Sequence, residues 1–75
     1  MNEATKQLLD EAYDRRGRAY YEAAFKRSCA IMRATTPAET AAAHATYRAA
    51  VREADEAYRS DCNHAYNQAK RGVHA

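Results

Sequence analysis

The stretch Ala34-Thr35-Thr36-Pro37-Ala38-Glu39 decides how this chain folds, because it contains the one proline among 75 residues. Proline suits the first position of a helix, where its missing N–H would have no partner, and it disrupts a helix interior. Thr36 and Glu39 form a Thr-x-x-Glu capping box, a common start of a helix. We therefore expect one helix to end before this stretch and a second helix to begin at Pro37.

Strong helix formers flank this break on both sides, since Ala, Glu, Arg, Lys and Gln dominate the rest of the chain. The sequence predicts helix 1 at about residues 3–34, a turn at about 35–37, helix 2 at about 37–71, and a short C-terminal tail at 72–75 that begins with the helix-ending Gly72. A short connection makes neighbouring helices run antiparallel. The predicted fold is thus all-α, a single helical-hairpin domain over residues 1–75.

Apolar residues recur at three- and four-residue spacing along one face of each predicted helix, as expected of two helices that pack together. This spacing passes through Gly17 without a change of phase, which favours a continuous helix 1. Arg16 lies on the same face, and Asp61 of helix 2 is its expected partner across the hairpin. The larger residues on the two faces form the predicted core of the hairpin: Leu9, Tyr13, Tyr20, Ile31, Tyr47, Val51 and Tyr58.

Large apolar side chains are scarce in this chain. Leu, Ile, Val and Phe together number 6, against 19 Ala and 6 Tyr. Two helices lined mainly with alanine methyl groups bury too little apolar surface to offset the entropy of folding. We therefore expect association, as a homodimer in which two hairpins form a four-helix bundle.

A second apolar face on helix 1 is the expected site of this association. Tyr21, Phe25, Cys29 and Met32, together with Ser28, lie nearly opposite the core-facing side of the helix. A helix that is apolar on two sides contacts two partners. One partner is helix 2, and the other is a second copy of the chain or a different protein. We call Tyr21, Phe25, Cys29 and Met32 the outer face.

Basic residues of helix 1 provide the strongest nucleic-acid signal in the sequence. Arg15, Arg16 and Arg18 lie close to Tyr20 and Tyr21, whose rings could stack on bases. With Lys26 these arginines are candidate polar or nucleic-acid contacts. Acidic residues at i, i+4 neutralise much of this charge, so a salt-bridged, solvated face is the alternative interpretation. The expected pairs are Glu11 with Arg15, Asp14 with Arg18, Glu22 with Lys26, and Asp55 with Arg59.

Catalytic and metal-binding motifs are not found in the sequence. Two glycines allow no glycine-rich phosphate loop, and Asp61 with His64 supplies half of a di-metal motif whose other halves are absent. Cys29 and Cys62 lie at different levels of an antiparallel hairpin, which predicts free thiols. We expect no enzyme activity, cofactor, metal or membrane span, and a cytoplasmic location.

The run Ala54-Asp55-Glu56-Ala57-Tyr58-Arg59-Ser60 resembles a stretch of the second helix in the plasmid Rop repressor family. Members of that family are small helical hairpins that dimerise into a four-helix bundle and bind paired RNA loops. The resemblance covers less than a tenth of the chain and lies on the helix without the family's RNA contacts. It implies the same bundle architecture and an RNA- or DNA-binding regulator as an alternative function.

The sequence as a whole predicts a small, non-enzymatic protein–protein interaction module. Surfaces rich in Tyr and Arg are typical of binding hot spots. We expect the module to bind and modulate another protein, as an inhibitor, in the manner of phage or mobile-element accessory proteins that act on a host target. The alternatives are the nucleic-acid regulator and a purely structural assembly piece.

Overall fold

The computed structural model describes residues 2–74 and places two α-helices side by side. Helix α1 spans Glu3–Arg33 and helix α2 spans Pro37–His74. Arg15 contacts Asp61 far from the turn and Arg27 contacts Tyr47 nearer to it, so the helices run antiparallel. The predicted all-α helical hairpin is confirmed, as a rod with principal extents of 59 × 15 × 10 Å.

Local signals in the sequence place three of the four helix ends. Asn2 caps α1, because its side-chain oxygen accepts a hydrogen bond of 2.7 Å from the backbone N–H of Thr5. The first helix ends at Arg33, one residue earlier than predicted. The predicted end of the second helix before Gly72 is wrong, since α2 continues to His74. No described glycine has the positive φ that a helix-ending glycine adopts, and the end of the predicted tail, Ala75, lies outside the described residues.

The turn is held by the predicted cap of α2. The Thr36 hydroxyl accepts a 3.2 Å hydrogen bond from the backbone N–H of Glu39 and donates a 3.0 Å hydrogen bond to the Glu39 carboxylate. Thr35 also donates to this carboxylate through its hydroxyl, at 2.9 Å, and through its backbone N–H, at 3.3 Å. These hydrogen bonds, those from Thr35 first, hold the pKa of Glu39 below its usual value. The carboxylate is therefore charged at neutral pH and ties both threonines to the start of α2.

Alanine side chains form the contact between the two helices. The buried apolar residues are Ala12, Ala23, Ala43, Ala54 and Ala65, none more than 8% exposed. They are eleven residues apart within each helix, and the antiparallel register places Ala12 near the level of Ala65 and Ala23 near the level of Ala54. An eleven-residue period corresponds to about 3.67 residues per turn, slightly more than the 3.6 of a straight α-helix, and such a period favours a slight right-handed supercoil. Small side chains at the contact also let the helices approach closely.

The close approach of the helices changes which residues form the core. Leu9, Tyr20, Ile31, Tyr47, Val51 and Tyr58 of the predicted core are half-buried. Tyr13 is 60% exposed, so its assignment to the core is wrong. An aromatic ring does not fit between two helices that touch through alanine methyl groups, and the tyrosines therefore lie along the edge of the contact.

Helix α1 is continuous through Gly17, as predicted from the phase of its apolar residues. A methyl group added at Gly17 would meet no atom within 4 Å beyond the local helix backbone. The residue therefore has no steric reason to be glycine within the hairpin.

Replacing Gly17 by Ala is expected to raise the free energy of unfolding by about 1 kcal/mol, because alanine loses less backbone entropy on forming a helix. For a chain of this size the melting temperature should rise by about 4–8 °C in a thermal scan followed by circular dichroism. Ala49→Gly, at an exposed position of α2, is the inverse control and should lower it. A lower melting temperature for Gly17→Ala would show that Gly17 is needed for a bend or for contact with another molecule.

Candidate interaction surfaces

One edge of the hairpin is closed by arginines stacked on tyrosine rings. The Arg16 guanidinium carbon lies 4.0 Å from the centre of the Tyr58 ring, and 5.3 and 5.6 Å from the centres of the Tyr13 and Tyr20 rings. A guanidinium in this position is attracted by the negative faces of the rings. Arg16 therefore joins α1 to α2 across the alanine contact. We call Tyr13, Arg16, Tyr20 and Tyr58 the tyrosine edge.

The same arrangement recurs eleven residues away, nearer the turn. The Arg27 guanidinium carbon lies 3.9 Å from the centre of the Tyr47 ring. The hexapeptides 43–48 and 54–59 both have the form Ala-x-x-x-Tyr-Arg, so the repeat is visible in the sequence. Each repeat supplies one buried alanine and one tyrosine that receives an arginine of α1. This eleven-residue repeat is the sequence signal that could have revealed the stacking. The three- and four-residue spacing of apolar residues does not show it.

Hydrogen bonds add to the tyrosine edge. The Tyr20 hydroxyl donates to the Asp55 carboxylate, and this hydrogen bond raises the pKa of Tyr20. The Cys62 thiol beside Tyr58 is likewise the main cause of a raised pKa for Tyr58. Both phenols therefore stay protonated well above neutral pH. Ring stacking and the Tyr20–Asp55 hydrogen bond thus hold Arg16, Tyr20 and Tyr58 in contacts within the chain.

The ion pair across the hairpin involves Arg15, and the predicted pairing of Arg16 with Asp61 is wrong. The Arg15 guanidinium lies 3.0 Å from the Asp61 carboxylate. Consecutive side chains on a helix diverge by about 100°, so Arg15 and Arg16 reach opposite edges of the contact. Arg16 turns to the tyrosine rings, which leaves Asp61 to Arg15.

Most of the predicted acid–base pairs along a single helix do not form. Within the part of the chain that the structure describes, Lys26 with Glu22 is the one such pair, at 2.9 Å. The carboxylates of Asp55 and Glu11 instead accept hydrogen bonds from Tyr20 and Gln7. Of the four predicted nucleic-acid contacts, Arg15, Arg16 and Lys26 are thus engaged within the chain. Arg18 is exposed and makes no ion pair or ring contact with the described residues.

The outer face of α1 is open to solvent. Tyr21 is 76% exposed, Phe25 is 61% exposed and Met32 is 85% exposed, while Cys29 is half-buried. At its start this face continues past Gly17, where a shallow depression is lined by Tyr13, Asp14, Gly17, Arg18 and Tyr21. Of the five large hydrophobic side chains exposed among the described residues, four lie on α1 and Tyr66 lies on α2. Tyr21, Phe25 and Met32 of the outer face therefore point away from the partner helix.

A groove with an alanine floor runs between the helices, and the sequence analysis did not predict it. It contains two adjoining cavities of about 500 and 450 Å³ that share Ala23, Lys26 and Ala50. Its floor includes Ala23, Ala30, Ala43, Ala50 and Ala54. Its charged lining residues are Glu22, Lys26, Arg27 and Arg33 from α1 with Glu39 and Glu53 from α2. We call this feature the alanine groove.

The remaining chemical groups form no recognisable centre. Cys29 and Cys62 are free thiols, each half-buried. The residues that the structure describes include no cluster of three His, Cys, Asp or Glu side chains able to hold a metal ion. Over the same residues, neither helix has an 18-residue stretch apolar enough to cross a lipid bilayer.

Comparison of the chain with protein families, curated proteins and solved structures gives no match. The function is therefore argued from the surfaces of the hairpin.

Proposed function

We propose that this protein is a non-enzymatic, cytoplasmic interaction module that binds another protein and inhibits it. In this proposal the chain works as a homodimer, with two hairpins joined in a four-helix bundle. Its small size and lack of catalytic motifs are typical of accessory proteins of phages and other mobile elements. The observation that carries the proposal is the exposure of the outer face of α1.

The distribution of side-chain size supports this function. The contact within the hairpin uses alanine, whereas Tyr21, Phe25 and Met32 are more than half exposed. Burying an aromatic or methionine side chain is worth about 1.5–3 kcal/mol relative to leaving it in water. Aromatic residues in the centre of an interface are also frequent hot spots. The outer face thus has the composition of a binding surface.

The rod shape of the hairpin suits recognition through a helix. A preformed helix that presents residues at i, i+4 and i+11, such as Tyr21, Phe25 and Met32, can lie in an apolar groove of its partner. The arginine–tyrosine stacking and the Arg15–Asp61 ion pair hold this helix in place before binding. Less entropy is then lost on association.

Nucleic-acid binding has less support from the geometry. Three of the four candidate basic contacts are engaged within the hairpin, in the Arg15–Asp61 pair, the Arg16 stack and the Lys26–Glu22 pair. Releasing them would cost part of the energy that phosphate contacts supply. Neutralisation of phosphates would also make binding steeply dependent on salt, which gives a direct test of this alternative.

Replacing Phe25 by Asp is expected to leave helicity intact and to abolish binding through the outer face, because a charge would replace the apolar side chain at its centre. The measurements are circular dichroism, mass by light scattering, and capture of host proteins with nuclease present. Tyr66→Asp is the control, since Tyr66 is 49% exposed on the other helix. The proposal is contradicted if Phe25→Asp keeps both the mass and the captured proteins of the wild type.

A further inference from the structure

The hairpin exposes more surface than a compact protein of its mass. The accessible surface is 5897 Å² for an 8.4 kDa chain, whereas a compact monomer of this mass exposes about 4,600 Å². A compact body of twice the mass exposes about 7,700 Å², so two hairpins joined in this way would bury about 4,000 Å² in total. Obligate homodimers bury about 2,000–5,000 Å². The excess surface of the hairpin is thus the amount that a stable dimer buries.

The side of the hairpin that carries the tyrosine edge has two rows of residues spaced by eleven. The row on α1 consists of Leu9, Tyr20 and Ile31, and the row on α2 consists of Tyr47, Tyr58 and Ala69. All six residues are half-buried. Eleven residues are close to three helical turns, so each row runs along its helix beside the alanine contact. We call these two rows the tyrosine side.

The two rows share their middle. The Arg16 guanidinium lies against the rings of both Tyr20 and Tyr58, so these two middle residues are at one level of the hairpin. The outer residues of each row are equally far from its middle residue. A two-fold axis through this level therefore aligns each row with the same row of an antiparallel copy. The tyrosine side is thus self-complementary, as the contact surface of a symmetric homodimer must be.

We infer that two copies of the hairpin pack through their tyrosine sides, about a two-fold axis perpendicular to the helices at the level of Tyr20. The turns then lie at opposite ends of a four-helix bundle, with like helices adjacent and antiparallel. This inference rests on the homodimer of the proposed function and names the side that forms it. Tyr21, Phe25 and Met32 lie about 100–140° around α1 from Tyr20, so the outer face stays free for another protein.

This register pairs large side chains between the two α1 helices. Leu9 and Ile31 are equally far from Tyr20, so Leu9 of each copy meets Ile31 of the other. Tyr13 and Arg27 each lie seven residues from Tyr20, so the ring of Tyr13 meets the Arg27 side chain of the second copy. Tyr13 is 60% exposed in the hairpin. The second copy thus covers a ring that the hairpin leaves in water.

The two α2 helices match in the same way. Val51 precedes Tyr58 by seven residues and Tyr66 follows it by eight, so Val51 of each copy lies near Tyr66 of the other. Tyr66 is 49% exposed in the hairpin. The five exposed large hydrophobic side chains of the described residues therefore divide into two sets. Three form the outer face, and the remaining two, Tyr13 and Tyr66, are covered by the second copy.

Charge favours this axis over one parallel to the helices. A parallel axis would place the Arg16 side chains of the two copies at the same level, where like charges repel. Arg16 precedes Tyr20 by four residues, and Asp55 precedes Tyr58 by three on the antiparallel helix. Arg16 and Asp55 therefore lie on opposite sides of the perpendicular axis, at similar distances from it. That axis brings Arg16 of each copy to the level of Asp55 of the other, so opposite charges meet.

A disulfide tests the register, in a chain whose own cysteines are replaced by Cys29→Ser and Cys62→Ala. Leu9→Cys alone and Ile31→Cys alone should form no disulfide-linked dimer on mild oxidation, because equal positions of the two copies lie about 33 Å apart along the bundle. An equal mixture of the two variants, left to exchange subunits, should link about half of the chains. Non-reducing gel electrophoresis measures the linked fraction.

The result that overturns the register is a mixture that links no more than the single variants, with intact helices by circular dichroism. Linkage in either single variant equal to that in the mixture overturns it as well. The mixture in urea is the control for random collision, and it should remain unlinked.

The dimer dissociation constant tests the contact side without engineered cysteines. Tyr66→Asp should weaken the dimer at least about tenfold in sedimentation equilibrium under reducing conditions, because it places a charge against Val51 of the second copy. Phe25→Asp should keep the constant within about threefold of wild type, because the outer face lies outside the contact. A wild-type chain that is monomeric at about 100 μM, a dimer that tolerates Tyr66→Asp, or a dimer lost in Phe25→Asp overturns the inference.

The proposed function and this inference fail in different ways. Phe25→Asp is expected to lose the captured host protein and keep the dimer, whereas Tyr66→Asp is expected to lose the dimer and keep the capture. A dimer through the tyrosine side that captures no protein contradicts the interaction module alone. A monomeric wild type that captures a protein through Phe25 overturns the dimer contact and supports the outer face as the binding surface.

Discussion

Replacing Ala54 by Leu is expected to lower the free energy of unfolding by about 2 kcal/mol, because the larger side chain forces the helices apart. Ala54 is 8% exposed and lies near the level of Ala23, which is 6% exposed. Three added carbon atoms have no space at a contact between two methyl groups. Moving the helices apart would also weaken the Arg16 and Arg27 stacks, whose distances depend on the same separation.

Ala49→Leu is the matched control, since Ala49 lies five residues away on the exposed side of α2. The midpoint of urea unfolding should fall for Ala54→Leu and stay close to wild type for Ala49→Leu. Both variants should be measured at one protein concentration, because any dimer makes stability depend on concentration. Equal midpoints for the two variants would show that alanine is not required at the contact.

Replacing Arg16 by Gln should lower the free energy of unfolding by about 1–2 kcal/mol. The substitution removes the positive charge between the rings and shortens a side chain whose carbon atoms cover the edge of the alanine contact. Arg16→Lys should give an intermediate result, because lysine keeps the charge but lacks the planar group that stacks on Tyr58.

Arg18→Gln provides the control for charge alone, since Arg18 is exposed two residues along the same helix. Thermal unfolding at low and at high salt would separate the effect of ring stacking from the effect of charge alone. The loss for Arg16→Gln should persist at high salt, because ring stacking is screened less than surface ion pairs. A loss equal to that of Arg18→Gln would contradict a specific role for Arg16.

Local chemistry explains which parts of the fold could be predicted. Pro37 and the cap formed by Thr36 and Glu39 act within a few residues, so the sequence places the turn directly. The strong helix formers on either side of the turn predict the two helices. Gly72 shows the limit of such signals, because glycine permits a helix end without requiring one.

Side-chain positions depended on the distance between the helices, which no local signal gives. Tyr13 was predicted in the core by its spacing, but the alanine contact leaves no room for its ring. Arg16 is predicted to pair with Asp61, but it stacks on Tyr58 and Asp61 pairs with Arg15 instead. The alanine groove could not be predicted, because its shape depends on the distance between the two helices and the order of residues along each helix does not give that distance.

The eleven-residue spacing of the buried alanines also limits how the length of this hairpin can change. Eleven residues are close to three helical turns, so removing or adding eleven residues in each helix would return Ala12, Ala23, Ala54 and Ala65 to matching levels. A deletion of three or four residues in one helix would instead shift its alanines relative to those of the other helix. We therefore expect hairpins related to this one to differ in length by about eleven residues in both helices together.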